Sequence, residues 1–487
     1  MFIDGLIQKV RALGLGLHVD GQGEETLGIL GYADDLVVLC ESRADLQIVL
    51  DALGAYASKW RFEINRGKTK VVVFGKAPGR ARERFTFRGE EVAEVQEYKY
   101  LGMMMQKRGW KKYKEKMLRS ARRAMMWSWN LLTKTGDMTV KGMVSVWSTL
   151  IRPYLEYGAE VWCSEDDCVW PEAEAIQRKM ARRILGSSRS TANEVVLGEL
   201  GWSSLKSRRM MLRLFFWHKL LRMGEDRWVK RVYEASRSRA EADPEVKNWC
   251  SLTRQWLRDL DLEDAWTNQE TGPEWRGMVR DKVFQLEQRQ WRQRMEAKPK
   301  LHCYRLWKLE LTLEGYLSQK DVAARRALTR VRSGTCELRE ETGRWESLGG
   351  GLGLMRRDER RCELCFSEVE DATHLLLRCP AYAQLRIPAL QALEAEPQEQ
   401  GVVDHARALR LTPGQDPLIP RDLEVETRML QWLTDEEPEL IMTQLRKSLT
   451  RRKWLRGITR EEVASDSGSD SDDEDYSEAD SEADREG

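Results

Sequence analysis

Long apolar runs are absent from this 487-residue chain. No stretch of about 18 apolar residues occurs, so we expect no membrane span. A signal peptide is also lacking, because the apolar segment from Phe2 to Ile7 is short and Asp4 interrupts it. The nine cysteines are spread without the framework of a disulfide-rich protein. These absences predict an intracellular protein, nuclear or cytoplasmic, in a reducing compartment.

A net excess of charge is also missing, since 80 Lys and Arg residues nearly balance 79 Asp and Glu residues. The balance is uneven along the chain, because residues 465–487 contain 11 acids and one base. Without them the chain has 79 bases and 68 acids, a formal charge of +11. The basic body favours a polyanionic partner. The acidic tail has almost no apolar residues, so we expect it to be disordered.

Two adjacent carboxylates stand between two apolar stretches near the amino terminus. The tetrapeptide 32–35, Tyr-Ala-Asp-Asp, ends in Asp34 and Asp35 and lies between residues 27–31 and 36–39. This pattern is typical of a β-hairpin with the acids at its tip, and we expect buried strands to hold that tip rigidly. Paired carboxylates are ligands for a hard cation such as Mg²⁺. The alternative is an ordinary solvated Asp-Asp turn.

The residues after the hairpin extend the pattern to an α/β unit. Ser42 and Asp45 have the spacing of a helix amino-terminal cap. An amphipathic helix follows, and residues 71–75 and 98–102 have the composition of strands. The predicted apolar face of the helix consists of Leu46, Val49, Leu50, Leu53 and Ala57.

Three motifs in this order resemble the second half of the reverse transcriptase palm in non-LTR (LINE-type) retrotransposons. Residues 32–35 look like the magnesium-binding box of that family, residues 65–69 (Asn-x-x-Lys-Thr) resemble its next motif, and residues 98–102 resemble its primer grip. The resemblance implies that Asp34 and Asp35 bind Mg²⁺ and that Lys68 assists the leaving pyrophosphate as a general acid. Further similar segments lie at residues 152–162, 183–186, 199–202, 344–345 and 362–379.

The middle of the chain, about residues 110–330, is rich in Lys, Arg, Trp, Met and Leu and poor in Gly and Pro, which predicts helices. The resemblance places thumb helices against a primer–template duplex, where basic side chains contact phosphates. The alternative is an ordinary solvated helix face. The candidate nucleic-acid-binding residues, which recur on one helical face, are Lys112, Lys116, Arg119 and Arg123.

A second pattern, C-x2-C-x8-H-x4-C, brings three thiols and one imidazole together in a short segment near the carboxyl end. Three thiolates and one imidazole are a common structural zinc set, so the pattern predicts a small folded module with Zn²⁺. The alternative is a group of unrelated buried cysteines with a capping histidine. The predicted ligands are Cys362, Cys365, His374 and Cys379.

Arginines surround this cysteine cluster, which suits contact with phosphate groups. Similar clusters close many LINE-type proteins, where they are taken to contact nucleic acid. The arginines are Arg356, Arg357, Arg360, Arg361 and Arg378.

The resemblance also indicates what residues 1–105 lack. Two-metal polymerisation needs carboxylates from two separate segments. In the family, one Asp comes from an earlier palm strand, upstream of a Gln-Gly-x-Pro-type loop, and neither feature occurs here. We therefore expect this polypeptide alone to be inactive as a polymerase. A restriction-like endonuclease is not expected either, because Asp422 is better explained as a helix cap.

The sequence thus predicts an α+β protein. A partial reverse transcriptase palm is followed by a mainly α-helical thumb and connector, a small zinc module and a disordered acidic tail. The predicted segments are 1–105 (second palm half), 106–225 (thumb), 226–348 (connector), 354–385 (zinc module), 386–460 (carboxy-terminal helices) and 461–487 (acidic tail).

The leading function is that of a reverse transcriptase (RNA-directed DNA polymerase) fragment of a non-LTR retrotransposon. When complete, such an enzyme uses two Mg²⁺ ions to synthesise DNA on an RNA template, so its partners are an RNA template and a DNA primer or target. The alternative is a catalytically inactive, nucleic-acid-binding remnant or co-opted protein of the same origin.

Overall fold

The computed structural model describes nine ranges of the chain, and these ranges form two compact units. One unit comprises residues 1–181 and 202–292, and the other comprises residues 182–201 and 293–487. The described residues are mostly helical with a few small sheets, consistent with the predicted α+β class. The described ranges are 2–19, 26–75, 84–107, 109–135, 139–162, 169–346, 354–395, 399–411 and 421–455.

The strands lie in the first unit and form four separate two-stranded antiparallel sheets within the described residues. The described strands therefore form short separate ladders and not one continuous sheet. The strands are β1 (Leu17–His18), β2 (Thr26–Leu27), β3 (Ile29–Tyr32), β4 (Asp35–Val38), β5 (Phe85–Phe87), β6 (Glu90–Val92), β7 (Glu97–Tyr100) and β8 (Met103–Gln106).

Helices make up most of the remaining structure, as the composition of the middle of the chain predicts. The first ten are α1 (Phe2–Arg11), α2 (Arg43–Trp60), α3 (Lys111–Thr135), α4 (Val140–Val146), α5 (Arg152–Glu156), α6 (Ala159–Trp162), α7 (Pro171–Leu185), α8 (Asn193–Glu199), α9 (Leu205–Leu221) and α10 (Trp228–Ala242). The others are α11 (Trp249–Asp259), α12 (Glu263–Asn268), α13 (Trp275–Glu296), α14 (His302–Trp307), α15 (Val322–Arg332), α16 (Arg339–Thr342), α17 (Ala383–Ala395), α18 (Gln400–Leu411), α19 (Leu423–Asp435) and α20 (Pro438–Leu455). None of the described helices is long and apolar enough to cross a bilayer.

Helix α2 forms the centre of the amino-terminal core. The Ser42 side chain caps it by accepting a hydrogen bond from the Asp45 amide at 3.1 Å, as predicted. The predicted apolar face is buried at four positions and partly buried at Leu46. Burial of this face stabilises the helix in its packed position. The core residues that surround it are Leu6, Val10, Ile29, Val71, Phe85, Phe87 and Val92.

The predicted acidic hairpin is confirmed, because β3 pairs with β4 in a register that places Tyr32 opposite Asp35 and Ile29 opposite Val38. The expectation that buried strands hold it was wrong. Ile29 is the only fully buried residue of the two strands, while Leu30 is 38% and Tyr32 65% exposed. The reason is that one face of this ladder packs on the core and its other face is not covered by any described element.

The predicted strand at residues 71–75 is also wrong, although its first residue pairs. Val71 donates to the Ala93 carbonyl at 3.1 Å and accepts from the Val95 amide at 2.8 Å. The following residues do not continue this ladder in the described part of the chain. An apolar run of β-branched residues is therefore used here for one bridge and for core packing.

Residues 182–201 belong to the second unit, although the residues directly before and after them in the sequence belong to the first. Arg332 is fully buried and contacts Glu199 at 3.1 Å and Glu314 at 2.9 Å. Burial alone would lower the pKa of Arg332, but these two carboxylates outweigh it and raise the pKa. The Tyr316 hydroxyl donates to Glu199 at 2.6 Å. These contacts attach α8 to the later part of the chain.

The finer segment boundaries expected from the sequence remain predictions. Some of the features on which they depend lie outside the described residues. These features are the glycine-rich residues 349–353, which precede the predicted zinc module, and the acidic tail. Cys163 and Cys168, which we expect to be structural because no histidine or cysteine pair completes a metal site with them, also lie outside the described residues.

The turn of the acidic hairpin contains a strained residue. Ala33 and Asp34 connect the paired residues Tyr32 and Asp35, and Ala33 has a left-handed φ of 53°. Residues with a Cβ atom avoid this region at a cost of about 1 to 3 kcal/mol. Such strain is often found in turns that present functional groups.

Replacing Ala33 by glycine should relieve this strain. For Ala33→Gly we expect the opening free energy of the hairpin to rise by about 1 kcal/mol, which slows amide exchange in β3 and β4 about fivefold. Hydrogen exchange followed by mass spectrometry measures the change. Ala55→Gly, in the exposed middle of α2, is the matched control and should instead destabilise its helix by about 1 kcal/mol. Faster exchange in the Ala33→Gly hairpin would contradict the inferred strain.

Candidate active site and metal centre

The carboxylates of Asp34 and Asp35 lie at the exposed tip of the β3–β4 hairpin. Asp34 belongs to the turn and Asp35 begins β4. Their position leaves both side chains accessible to a hydrated cation, and oxygen donors suit Mg²⁺. No group of three or more His, Cys, Asp or Glu ligand atoms in the described residues includes either of them. Within those residues, the two carboxylates therefore have no third His, Cys, Asp or Glu ligand atom close enough to share a cation with them.

The loop that contains Lys68 is fixed by its own backbone and by a neighbouring motif. The Asn65 side-chain oxygen accepts from the Lys68 amide at 3.0 Å, and the Thr69 hydroxyl donates to the Asn65 carbonyl at 2.8 Å. The Tyr98 hydroxyl donates to the Lys68 carbonyl at 3.0 Å. These bonds hold the backbone of the loop and leave the Lys68 side chain exposed.

Strand β7 connects the Lys68 loop with the acidic hairpin. Its residue Tyr98 bonds to the loop, and its residue Tyr100 lies within electrostatic range of Asp35. Burial and the negative charge of Asp35 together raise the pKa of Tyr100. The three sequence motifs are therefore neighbours through β7. The structure brings Lys68 next to Tyr98, and Asp35 near Tyr100.

The predicted basic residues lie on α3, which begins at Lys111. Lys112, Arg119 and Arg123 are exposed, and Lys116 is half-buried. Lys112 forms an ion pair with Glu97 at 2.8 Å. Burial lowers the pKa of Lys116, and the nearby positive charges of Lys99 and Arg119 lower it further. The mutual repulsion of these groups indicates a local concentration of positive charge, as expected for a surface that contacts an anion.

The four predicted cysteine and histidine ligands are brought together. Their ligand atoms all lie within 4.8 Å of one another. A tetrahedral zinc ion with sulfur ligands at about 2.3 Å requires sulfur atoms separated by about 3.8 Å. The sulfur atoms of Cys362 and Cys379 are 3.9 Å apart, and the Cys365 sulfur is 3.3 Å from His374 Nε2. The donor set and its spacing fit a metal ion.

The backbone around these ligands makes the close approach possible. The amide of Phe366 donates to the Cys362 carbonyl at 2.8 Å, which closes the turn between Cys362 and Cys365. Phe366 has a left-handed φ of 56°. A π-helical turn, His374–Arg378, carries the histidine, and the Asp371 carboxylate accepts from the His374 amide at 2.9 Å.

A carboxylate orients the histidine of this cluster. His374 Nδ1 lies 3.4 Å from Glu368, while Nε2 points to the sulfur atoms. Burial would raise the pKa of Glu368, but hydrogen bonds from His374 and Arg378 lower it to about 2. Metal-binding histidines commonly have a carboxylate on the second ring nitrogen. Glu368 was missed in the sequence, although an acid six residues before the histidine was visible there.

One sulfur atom of the cluster, that of Cys365, is set up to carry negative charge, whereas hydrogen bonds to Cys362 and Cys365 and burial raise the pKa of Cys379. Hydrogen bonds from Cys362 and Cys379 lower the pKa of Cys365 below its usual range. Burial disfavours the charged form of His374, but hydrogen bonds to Cys362, Cys365 and Glu368 outweigh it and raise the pKa of His374 to about 11. A thiolate next to a cationic partner is an arrangement in which a metal ion can replace protons.

The arginines around the cluster divide into two groups. Arg378 is fully buried and contacts Glu368 at 2.7 Å and Glu426 at 2.8 Å, so the expectation that it binds phosphate is wrong. Arg360 donates to the carbonyls of Glu340 and Met355. Both are used inside the protein because nearby acceptors need a donor. The exposed members of the group are Arg356, Arg357 and Arg361.

Asp422 has the structural role expected from the sequence. Its side chain caps α19 by accepting from the Glu424 amide at 3.1 Å and the Val425 amide at 3.0 Å. This confirms the interpretation of Asp422 as a helix cap.

Two comparisons agree with these motifs. Residues 1–105 match the family described as Reverse transcriptase (RNA-dependent DNA polymerase). A curated relative, the RNA-directed DNA polymerase from mobile element jockey of Drosophila funebris, is 29% identical over 181 residues, which cover 35% of this chain and 19% of that protein. The chain thus spans about a fifth of the length of this relative. These matches confirm the predicted resemblance to a LINE-type reverse transcriptase, and the family match places that resemblance in residues 1–105.

Proposed function

We propose that this chain supplies the carboxylate pair and the nucleic-acid-binding surface of an RNA-directed DNA polymerase of a non-LTR retrotransposon. The observation that carries the proposal is the exposed Asp34–Asp35 tip within a matched reverse transcriptase segment, near strand β7, which also bonds to the Lys68 loop. The comparisons do not favour the alternative of an inactive remnant.

The chemistry assigned to each residue follows from its charge and position. Asp34 and Asp35 would hold Mg²⁺, with Asp34 the more direct ligand. When bound, divalent ions in such centres activate the attacking hydroxyl and stabilise the leaving oxygen. Lys68 is exposed on a fixed loop, so its ammonium group can donate a proton to the departing pyrophosphate. The RNA template and DNA primer would lie along α3.

The Cys₃His cluster has a structural role in this proposal. Three sulfur ligands and one imidazole complete a tetrahedral zinc site without an open position, so the ion would stabilise the fold of the surrounding module. Glu368 on the second nitrogen of His374 supports this assignment. A catalytic role for this cluster is not proposed.

Primer extension tests the polymerase assignment. We expect no dNTP incorporation by the chain alone on a poly(rA) template with Mg²⁺ or Mn²⁺, because a third carboxylate is needed. Fusing a reverse transcriptase segment that carries the earlier palm strand and its Asp before Met1 should restore incorporation. In that fusion, Asp34→Ala should reduce the rate at least about 100-fold.

Asp51→Ala, which removes an exposed acid from α2, is the matched control and should leave the rate of the fusion unchanged. Incorporation that survives Asp34→Ala would contradict the role of the pair. Incorporation by the unfused chain that depends on Asp34 would contradict the need for a third carboxylate.

The basic face of α3 is tested by the salt dependence of binding to an RNA–DNA duplex. Each phosphate contact contributes about 0.9 to the slope of log K against log salt concentration. The double change Lys116→Gln with Arg119→Gln should therefore reduce this slope by about 2. Lys219→Gln, which changes an exposed lysine on a different helix, α9, is the control and should change it little. Equal slopes for the double variant and the wild type would show that Lys116 and Arg119 do not contact the phosphates of the duplex.

Zinc removal should unfold the module at residues 354–385. Structural zinc contributes about 10 kcal/mol or more to small modules, which exceeds what their cores supply. For Cys365→Ser we expect one zinc ion fewer per chain and rapid amide exchange in the turn His374–Arg378. Metal analysis and hydrogen exchange measure both effects, and Cys40→Ser, in the other unit, is the control. Normal zinc content in Cys365→Ser would refute this assignment.

A further inference from the structure

A second group of metal-binding side chains lies in the same unit and shares no ligand with the first. The ligand atoms of His302, Cys303 and Glu340 all lie within 4.8 Å of one another. His302 Nε2 is 3.1 Å from the Cys303 sulfur and 3.3 Å from Glu340 Oε1. Nitrogen, sulfur and oxygen donors from these residue types are the set that Zn²⁺ uses in proteins.

A positive group already binds to this set of acceptors. The Arg357 guanidinium lies 2.7 Å from His302 Nε2 and donates to Glu340 Oε1 at 2.9 Å. A guanidinium can only donate hydrogen bonds, so it uses the lone pair of His302 and the charge of Glu340. The Arg357 side chain is 50% exposed, so it can move into solvent without opening the core.

The surroundings leave room for a fourth ligand. A cavity of about 20 Å³ adjoins the three residues, which is space for about one water molecule. Cys336 also lines this cavity. Burial, with the charges of Asp371 and Glu340, raises the pKa of Cys303. Two carboxylates and two arginines, Arg357 and Arg421, are therefore within electrostatic range of the Cys303 sulfur.

We propose that His302, Cys303 and Glu340 form a second zinc site. Without zinc, the positively charged guanidinium of Arg357 takes the place of the ion by bonding to His302 and Glu340. On binding, the Cys303 thiol loses its proton to solvent, and a Zn–S bond replaces the S–H bond. The guanidinium leaves His302 and Glu340 and moves toward solvent. No electrons are transferred. Cys336 or a water molecule completes the four ligands.

The first test is the zinc content of the full-length chain after dialysis against a weak chelator. We expect two zinc ions per chain in the wild type and one in Cys303→Ser, with the Cys₃His site still loaded. Cobalt substitution identifies which site is lost, because each site has its own cobalt–thiolate absorption. One zinc ion in both the wild type and Cys303→Ser would overturn the proposal.

The second test changes the competing cation and leaves all three ligands intact. Arg357→Gln removes the charged partner, so zinc no longer has to break a charge-assisted hydrogen bond, and affinity at this site should rise about tenfold. Arg356→Gln, its exposed neighbour, is the matched control. Competition with a fluorescent zinc chelator measures both affinities. Unchanged zinc affinity in Arg357→Gln would overturn the proposal. This second test does not depend on whether Cys303→Ser folds.

Discussion

Buried arginine–carboxylate contacts are the constraint on which the second unit depends. Arg332 contacts both Glu199 and Glu314, and all three lie in the interior or nearly so. Removing one partner from such a set leaves an uncompensated buried charge, which is far more costly than losing a surface ion pair. Residues 182–201 are therefore committed to the later part of the chain, even though residues 202–292 separate the two in sequence.

The same arrangement recurs around the cysteine cluster. Arg378 is buried between Glu368 and Glu426, and Arg421 forms an ion pair with the buried Asp371. These ion pairs hold Glu368 and Asp371 in place, and both of these carboxylates contact His374. The arginines therefore support the candidate metal ligands indirectly. A basic sequence near a zinc pattern thus has two uses here. Part of its charge fixes the module internally, and the exposed part remains available to a polyanion.

Local patterns predicted the parts of the fold that local physics determines. The acidic hairpin, the Ser42 cap, the buried face of α2 and the Asp422 cap follow from residues that are close together in the sequence. Features that depend on distant residues were missed. The exposure of β3 and β4 depends on what covers them, and the group of His302 and Glu340 joins residues 38 positions apart. Spacing along the chain carries no signal for such a contact.

The two kinds of candidate metal site differ in how much of the coordination the chain supplies. The cysteine cluster provides four potential ligands and places Glu368 next to its histidine, so an ion bound there would be held for stability. The hairpin provides two exposed carboxylates on a strained turn, and an ion bound there would keep part of its water and exchange readily. Weak, open coordination is what a substrate phosphate needs in order to become a ligand itself. The incomplete ligand set of Asp34 and Asp35 is therefore consistent with a polymerase centre that is finished only when another carboxylate and the nucleotide are present.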